Sequence, residues 1–590
     1  MLIPFETRSV YFNATAFGIS RSIHWLQSLR DTTEQRPRTV ATRRVDEMGD
    51  FRIGRLKHER CTIPRGEDFL DWALQVLNRH APDKSVLEIE FRGEEGTGIG
   101  PTLEFYSLVA AELQRKELGI WVCDDEEVPT ETEGVELDLG QGPKPRGYYV
   151  KAGEHGLFPA PYPQDSPKLT KICSLFHLLG MFVGKSLQDQ RLVDLPLSLP
   201  FFKMLCRGTT TELVTDNTSD MGDHSDSEGT SESYLLKSES LSSLTEGELR
   251  FRCDSDAASD ISSVQGASCH EESVENRKPG PLTIEDIAVD TSSESSYTKT
   301  DTRPDRQCES RDRQCESRDR QAWFSGILNN KDFTATNPYL AKFLCSLDVL
   351  SEQKRAVLSD TSLTDAQKQE TLETLTLPGT SAKLEDLCLF FQFTPSSTVY
   401  GYTEFDLKPG GSHIPLSLHN LEEYCDLSRS FCLDTGIRRQ MEAFKGGFNT
   451  VFSLSHVKMF TPQEFRLLLC GEMSPDWTRD DLLEYTEPKF GYTRDSPGFL
   501  NLVEVLVEMS GPERKNFLQF ATGCSSLPPG GLANLNPRLT VVRKEGEGGD
   551  SCLPSVNTCV HYLKLPEYSS KQVLRERLLQ STQEKGFHLN

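Results

Sequence analysis

A ninety-residue break, Thr211 to Thr300, limits what this chain can fold into more than any other feature. It holds 19 serines, 20 acidic residues and 6 basic ones, a net charge of −14. A segment so charged and so poor in apolar residues buries too little surface to offset the entropy of ordering it. Beyond it comes a perfect tandem repeat of Asp-Arg-Gln-Cys-Glu-Ser-Arg, at Asp305 to Arg311 and again at Asp312 to Arg318. With no apolar a and d positions, that repeat is not a coiled coil. Residues 208 to 320 therefore read as a disordered insertion, with folded structure on either side. Runs such as Ser225-Asp226-Ser227-Glu228 suit phosphorylation, although a solvated loop without a specific role explains the composition more simply.

At 590 residues the chain is long enough for several domains. A net charge of −25 disfavours nucleic acid and anionic membranes as partners. No apolar run is long enough to span a membrane. The amino terminus, Met1-Leu2-Ile3-Pro4-Phe5-Glu6, lacks the apolar core of a signal peptide. The 16 cysteines include no C-x-x-C pair and no His/Cys ligand spacing, so no metal is expected. Scattered thiols without an export signal suit a reducing compartment, which points to the cytoplasm and leaves the nucleus open.

The flanks carry regular periodicities. Glu67 to Asn78 places Phe69, Leu70, Ala73, Leu74 and Leu77 on one helical face. Ser85 to Phe91 alternates Leu87, Ile89 and Phe91 with Val86, Glu88 and Glu90, the pattern of a strand. Further helices are expected at Leu103 to Leu113, Leu169 to Leu187, Leu421 to Phe431 and Gly436 to Phe448, and a strand entering a hairpin at 384 to 394. Helices and short strands without a βαβ rhythm indicate an α+β fold. The glycine-rich turn from Arg92 to Pro101 fits neither dinucleotide nor P-loop spacing, and Glu94 and Glu95 would repel phosphate. It reads as a structural turn.

The chemistry concentrates near the carboxyl end, in Leu553 to Ser570. Cys559 lies between Pro554 and Pro566, and Val560, Tyr562, Leu563 and Leu565 form a short apolar run with strand-forming residues. A thiol at the start of a half-buried strand is held still yet stays reachable. A lone cysteine is more often a small buried apolar residue, so the surroundings must decide. Here Leu553-Pro554, Thr558-Cys559 and Leu563-x-Leu565-Pro566-x-Tyr568 resemble the active-site loop of HECT-type E3 ubiquitin ligases. The resemblance continues in family order through Gly93-Glu94-Glu95-Gly96, Gly180 to Lys185, Phe201 to Leu205, Phe444 to Phe448, Leu467 to Gly471, Phe517 to Gly523 and Leu527 to Leu532.

That resemblance implies a bilobal HECT domain. A mostly helical amino lobe would cover 1–471 and include a conjugating-enzyme (E2) subdomain at about 322–440. A short hinge at 472–475 would join it to a smaller α/β carboxyl lobe, 476–590. The implied activity takes ubiquitin from a charged E2 as a thioester on Cys559 and passes it to a lysine of a protein substrate, without a cofactor. Thr558 stands where it could donate a hydrogen bond near the sulfur, or cap the backbone instead. Leu340, Leu344, Leu387 and Tyr424 fall at the family's apolar E2-contact positions, where an ordinary core role is equally open. Phe587, fourth from the end, matches a phenylalanine that docks the lobes. Asn557 and Lys564 replace the family's frequent His and Asp, which leaves the general base unassigned, and His561 is a weak candidate for it. Two other readings stay open: a ubiquitin- and E2-binding scaffold without activity, and a cysteine protease that removes ubiquitin. The protease would need a Cys-His-Asp/Asn set, usually with the cysteine opening a helix.

Overall fold

The computed structural model describes residues 3–23, 56–66, 68–94, 98–124, 135–136, 144–145, 147–151, 156–208, 322–545, 549–558 and 560–583. The expected insertion lies outside the described residues, as do Cys559 and Phe587. The fold is α+β: many helices and four small sheets among the described residues.

The first part is mostly helical. Helix α1 (Phe5–Phe17) precedes the parallel pair β1 (His58–Ile63) and β2 (Val86–Phe91), with α2 (Phe69–His80) between them. Leu87, Ile89 and Phe91 face the core, as their alternation predicts. Gly93 and Gly98, both at positive φ, flank the turn into α3 (Ile99–Glu112). The Glu94 carboxylate there pairs with Arg65. A two-residue pair follows, β3 (Val135–Glu136) with β4 (Lys144–Pro145). Next comes α4 (Leu169–Gln188), buried along nearly its whole length, and then α5 (Leu199–Arg207).

The next segment has its own apolar core, from Phe333 to Cys432. It comprises α6 (Asn330–Thr336), α7 (Pro338–Ser359), α8 (Asp365–Glu373), the hairpin β5 (Gln392–Phe393) and β6 (Phe405–Asp406), and α9 (Leu421–Leu433). The chain then returns to the first core through α10 (Arg438–Val451) and α11 (Pro462–Cys470). Helix α10 lies directly on α4. A Cβ on Gly447 would sit 2.0 Å from the His177 carbonyl oxygen, and one on Gly180 would sit 2.1 Å from that of Phe444. Glycine at both positions is what lets the two backbones touch.

A third core runs from Trp477 to Leu578. Helices α12 (Arg479–Tyr485), α13 (Pro497–Glu508) and α14 (Gly511–Thr522) surround a four-stranded sheet in the order β7-β8-β10-β9. Its strands are β7 (Glu487–Lys489), β8 (Thr540–Arg543), β9 (Ser555–Asn557) and β10 (Tyr562–Leu565). The last helix, α15 (Lys571–Gln583), packs Leu574 and Leu578 inward, four residues apart on one face. Its cap is Ser570, whose Oγ accepts from Val573 N, while Ser569 is engaged by the Asp550 carboxylate.

Two expectations need correction. The strand at 384–394 shrinks to Gln392–Phe393, and Leu384–Leu387 forms a 3-10 turn. Asp386 closes that turn by accepting from Lys383 N at 2.9 Å, and Cys388 follows at φ +49°, which no strand accommodates. Leu387 is therefore on a turn, not a strand. The strand expected to open at Cys559 begins at Tyr562.

Candidate active site

The run around Cys559 forms a hairpin at the edge of the carboxyl-terminal sheet. β9 pairs antiparallel with β10 in the register Asn557↔Tyr562, Val556↔Leu563 and Ser555↔Lys564. Thr558, Val560 and His561 lie between the two strands, and Cys559 falls among them in the chain. Thr558 is half-buried, and Val560 is 38% exposed although it is apolar. The side chains bracketing Cys559 thus reach solvent.

The far end of the turn is pinned. His561 adopts φ +51°, an unusual conformation for a residue with a Cβ, and is only 6% exposed. Its Nδ1 lies 2.5 Å from the Pro537 carbonyl oxygen, which makes Nδ1–H the donor. Burial lowers the imidazole pKa, while the bond to Pro537 opposes that shift. The His561 carbonyl in turn accepts from Thr540 N at 2.9 Å, so the turn is tied to β8 as well as to β9. A buried ring committed to a backbone oxygen is poorly placed as a general base. Sequence periodicity puts His561 on one face of a strand; the left-handed turn takes it out of that alternation.

Below the turn, the Tyr568 hydroxyl donates to the Cys552 carbonyl at 2.6 Å, and Lys544 Nζ to that of Leu553 at 2.9 Å. The approach from Cys552 to Pro554 is held by the residues that follow β8 and β10. Lys564 is exposed and Asn557 lies at the exposed end of β9. Several other described thiols resist ionisation: burial pushes Cys173 up to about 11 and Cys206, Cys425 and Cys524 up to about 12. Thiols that resist ionising are poor nucleophiles.

The third core meets the first through one loop. Ser525 Oγ donates to Asp194 Oδ2 at 2.9 Å, and Ser107 Oγ to the Gly523 carbonyl at 3.2 Å. Glu472, just past α11, bridges to Leu527 through its N–H and accepts from Gly530 N through its carboxylate. Gly523, Leu527 and Gly530 lie in runs that carry the resemblance, but their partners do not, because those are hundreds of positions away or in a neighbouring loop.

The four expected E2-contact residues divide into two pairs. Leu340, on α7, and Leu387, on the 3-10 turn, are half-buried against the same core. Leu344 is 0% exposed and Tyr424 only 6%, its ring 5.6 Å from that of Phe391. These two are interior residues that support the surface without forming it.

The hairpin, the pinned turn and the separate cores define a thiol-bearing α+β domain, and comparison with known proteins places it. The HECT-domain (ubiquitin-transferase) family matches residues 107–299 and 322–590, and the chain belongs to that family. It is 44% identical to the E3 ubiquitin-protein ligase Ufd4 of Drosophila melanogaster and 42% identical to the E3 ubiquitin-protein ligase hecd-1 of Caenorhabditis elegans, over its full length in both cases. It is 31% identical to the E3 ubiquitin-protein ligase TRIP12 of Danio rerio. The chain spans 19% of the length of the first two relatives and 22% of the third.

Proposed function

We propose that this chain is the catalytic region of an E3 ubiquitin ligase, with Cys559 as the ubiquitin acceptor. The observation that carries this reading is the family match extending over both flanks of the insertion and through the hairpin that bears Thr558-Cys559. In the first step the Cys559 thiolate attacks the carbonyl carbon of ubiquitin's E2 thioester, and the E2 thiolate leaves. In the second a neutral lysine amine attacks the new thioester, the amine proton goes to solvent, and the Cys559 thiolate is released. One thioester replaces another in the first step, so the protein's contribution is placement. Thr558 would donate to the thioester oxygen. Leu340 and Leu387 would meet the E2, with Leu344 and Tyr424 as their support, and Phe587 would dock the lobes. The amino lobe would end near Gly471 and the carboxyl lobe begin at Asp476. Thiol chemistry of this kind fits a reducing compartment such as the cytoplasm.

Incubation with an E2 charged with labelled ubiquitin tests the reading. Wild-type protein should give a thiol-sensitive adduct on a non-reducing gel. Cys559→Ala should give none, and Cys559→Ser an oxyester or nothing, because an alcohol is the poorer nucleophile at neutral pH. Normal adduct formation by Cys559→Ala would refute it. In a pulse-chase on the same gels, Phe587→Ala should load normally yet transfer to lysine about tenfold more slowly.

A further inference from the structure

The hairpin loop between β5 and β6, residues 394–404, belongs by chain position to the middle core, yet it is built into the first one. Tyr400 is 2% exposed and buried in the first core, with Val399 packed beside it, whereas Phe393 and Phe405 on the flanking strands belong to the middle core. Its hydroxyl accepts from Cys123 N at 2.8 Å and donates to the Trp121 carbonyl at 3.0 Å. Ser396 Oγ donates to the Cys123 carbonyl at 2.7 Å, and the Tyr402 hydroxyl to that of Pro161 at 2.8 Å. Lys168 Nζ returns a bond from the opposite side to the Val399 carbonyl at 3.2 Å. The rings of Tyr162, Tyr400 and Tyr402 form a triangle, with centroids 5.8 Å from Tyr162 to Tyr400, 5.9 Å to Tyr402 and 6.4 Å between the last two. The receiving strip is itself braced, since Val122 N donates to the Phe158 carbonyl and Ala160 N to that of Ile120.

The chain crosses between the two cores twice. One crossing follows Trp323 and Phe324, both buried in the first core, and is steadied by Lys203 and Asp332 at 2.5 Å. The other runs from Cys432 in the middle core to Ile437 in the first. Two points of attachment leave a body free to rotate about the line joining them. The Tyr400 loop adds a third attachment, at Trp121 and Cys123, which restrains that rotation. Hinges in multi-part enzymes are few and local, so one clamp suffices to close one.

We propose that Tyr400, with Tyr402 and Ser396, is a positioning residue for ubiquitin transfer: it locks the E2-docking subdomain to the large subdomain, leaving the carboxyl lobe to make the approach to the E2 thioester. The proposal rests on the reading of this chain as a ligase with E2 bound on the middle core. Its substance is that hydroxyl-to-backbone bonds, not apolar area alone, set the angle at which the charged E2 is presented.

The test is the double variant Tyr400→Phe/Tyr402→Phe in the full chain, with Ser396→Ala as a milder companion that leaves every buried ring in place. Binding of uncharged E2 should stay within about twofold, because no docking residue changes, while the single-turnover rate of thioester formation at saturating charged E2 should fall about fivefold or more. Ser396→Ala should show a smaller loss in that same rate. Spin labels introduced through non-natural residues on α7 and α4 should report a narrow distance distribution in wild type and a broader one in the double variant. An unchanged distribution, or a broadened one with an unchanged rate, overturns the proposal. So does a loss of E2 binding in proportion to the loss of rate, which would mean a damaged subdomain. Absence of an adduct in wild-type protein would defeat the ligase reading instead, and the distance measurement would still decide whether the loop is a clamp.

Discussion

His561 holds the turn between β9 and β10 at a cost that pH exposes. Its ring is buried and hydrogen-bonded as a neutral donor, so its folded pKa lies below the 6.5 of an open chain. Between those two values the unfolded chain binds a proton that the folded chain refuses. Stability therefore rises with pH up to about 6.5 and is level above it, as far as this residue is concerned. The thermal midpoint of wild type should drop as the buffer is taken from pH 7.5 to about 5.5, and His561→Asn should flatten that dependence. Asparagine tolerates the left-handed backbone and keeps a donor for Pro537. A slope that is unchanged in the variant would mean that other groups set it. Cys559 could be proposed from the sequence because its neighbours form a dense local pattern; the pinning of His561 was not legible, because Pro537 lies 24 residues away and the positive φ has no sequence marker here.

At the scale of elements, α1 is attached by a charge-assisted clasp. Arg8 Nη1 donates to Glu464 Oε2 at 2.8 Å and to the Met459 carbonyl at 2.7 Å, and its second amino group pairs with Glu464 Oε1. Glu464 also closes the capping box of α11 with Thr461. The Arg8 hydrogen bond, aided by those from Thr461, brings its carboxyl down from 4.5 to about 2. A depressed carboxyl pKa stabilises the folded state above the unfolded value, and that benefit is lost as pH falls toward the folded one. Glu464→Gln should therefore cost about 1 kcal/mol at neutral pH, a deficit that stays constant down to about pH 5 and narrows below it. Paired urea titrations across that range would check it, and a deficit that persists undiminished at low pH would assign the loss to packing. Elements with strong periodicity were legible, as α2, β2 and α4 attest. The segment 384–394 was not: its apolar run looks like a strand, yet an Asp386 side-chain bond closes a turn instead.

At the scale of the whole molecule, the insertion opens and closes at one spot. A Cβ on Gly208 would lie 2.2 Å from the Trp323 ring, so the residues on either side of the segment touch. Deleting 211–318 therefore leaves a short link with no gap to bridge. Closure entropy varies slowly with loop length, so the thermal midpoint should move by no more than about 2 °C and thioester formation should be unaffected. Loss of soluble protein on deletion would show that the segment is structural.

What the sequence determined by itself is whatever depends on near neighbours. Apolar spacing produced the helices and the Leu87-Ile89-Phe91 face, charge density marked the break at Thr211 to Thr300, and the Thr558-Cys559 run marked the candidate site. Only the tertiary structure decided which apolar residues are surface and which are support. Leu340 and Leu344 are one helical turn apart, yet one is half-buried and the other fully enclosed. It also decided where polar side chains find partners. The Tyr400 hydroxyl bonds a strip 277 residues back, Asp194 meets Ser525 across 331 residues, and Arg8 reaches Glu464 across 456. Such pairs leave no local periodicity, because the buried groups they satisfy are brought together only by the packing of the cores.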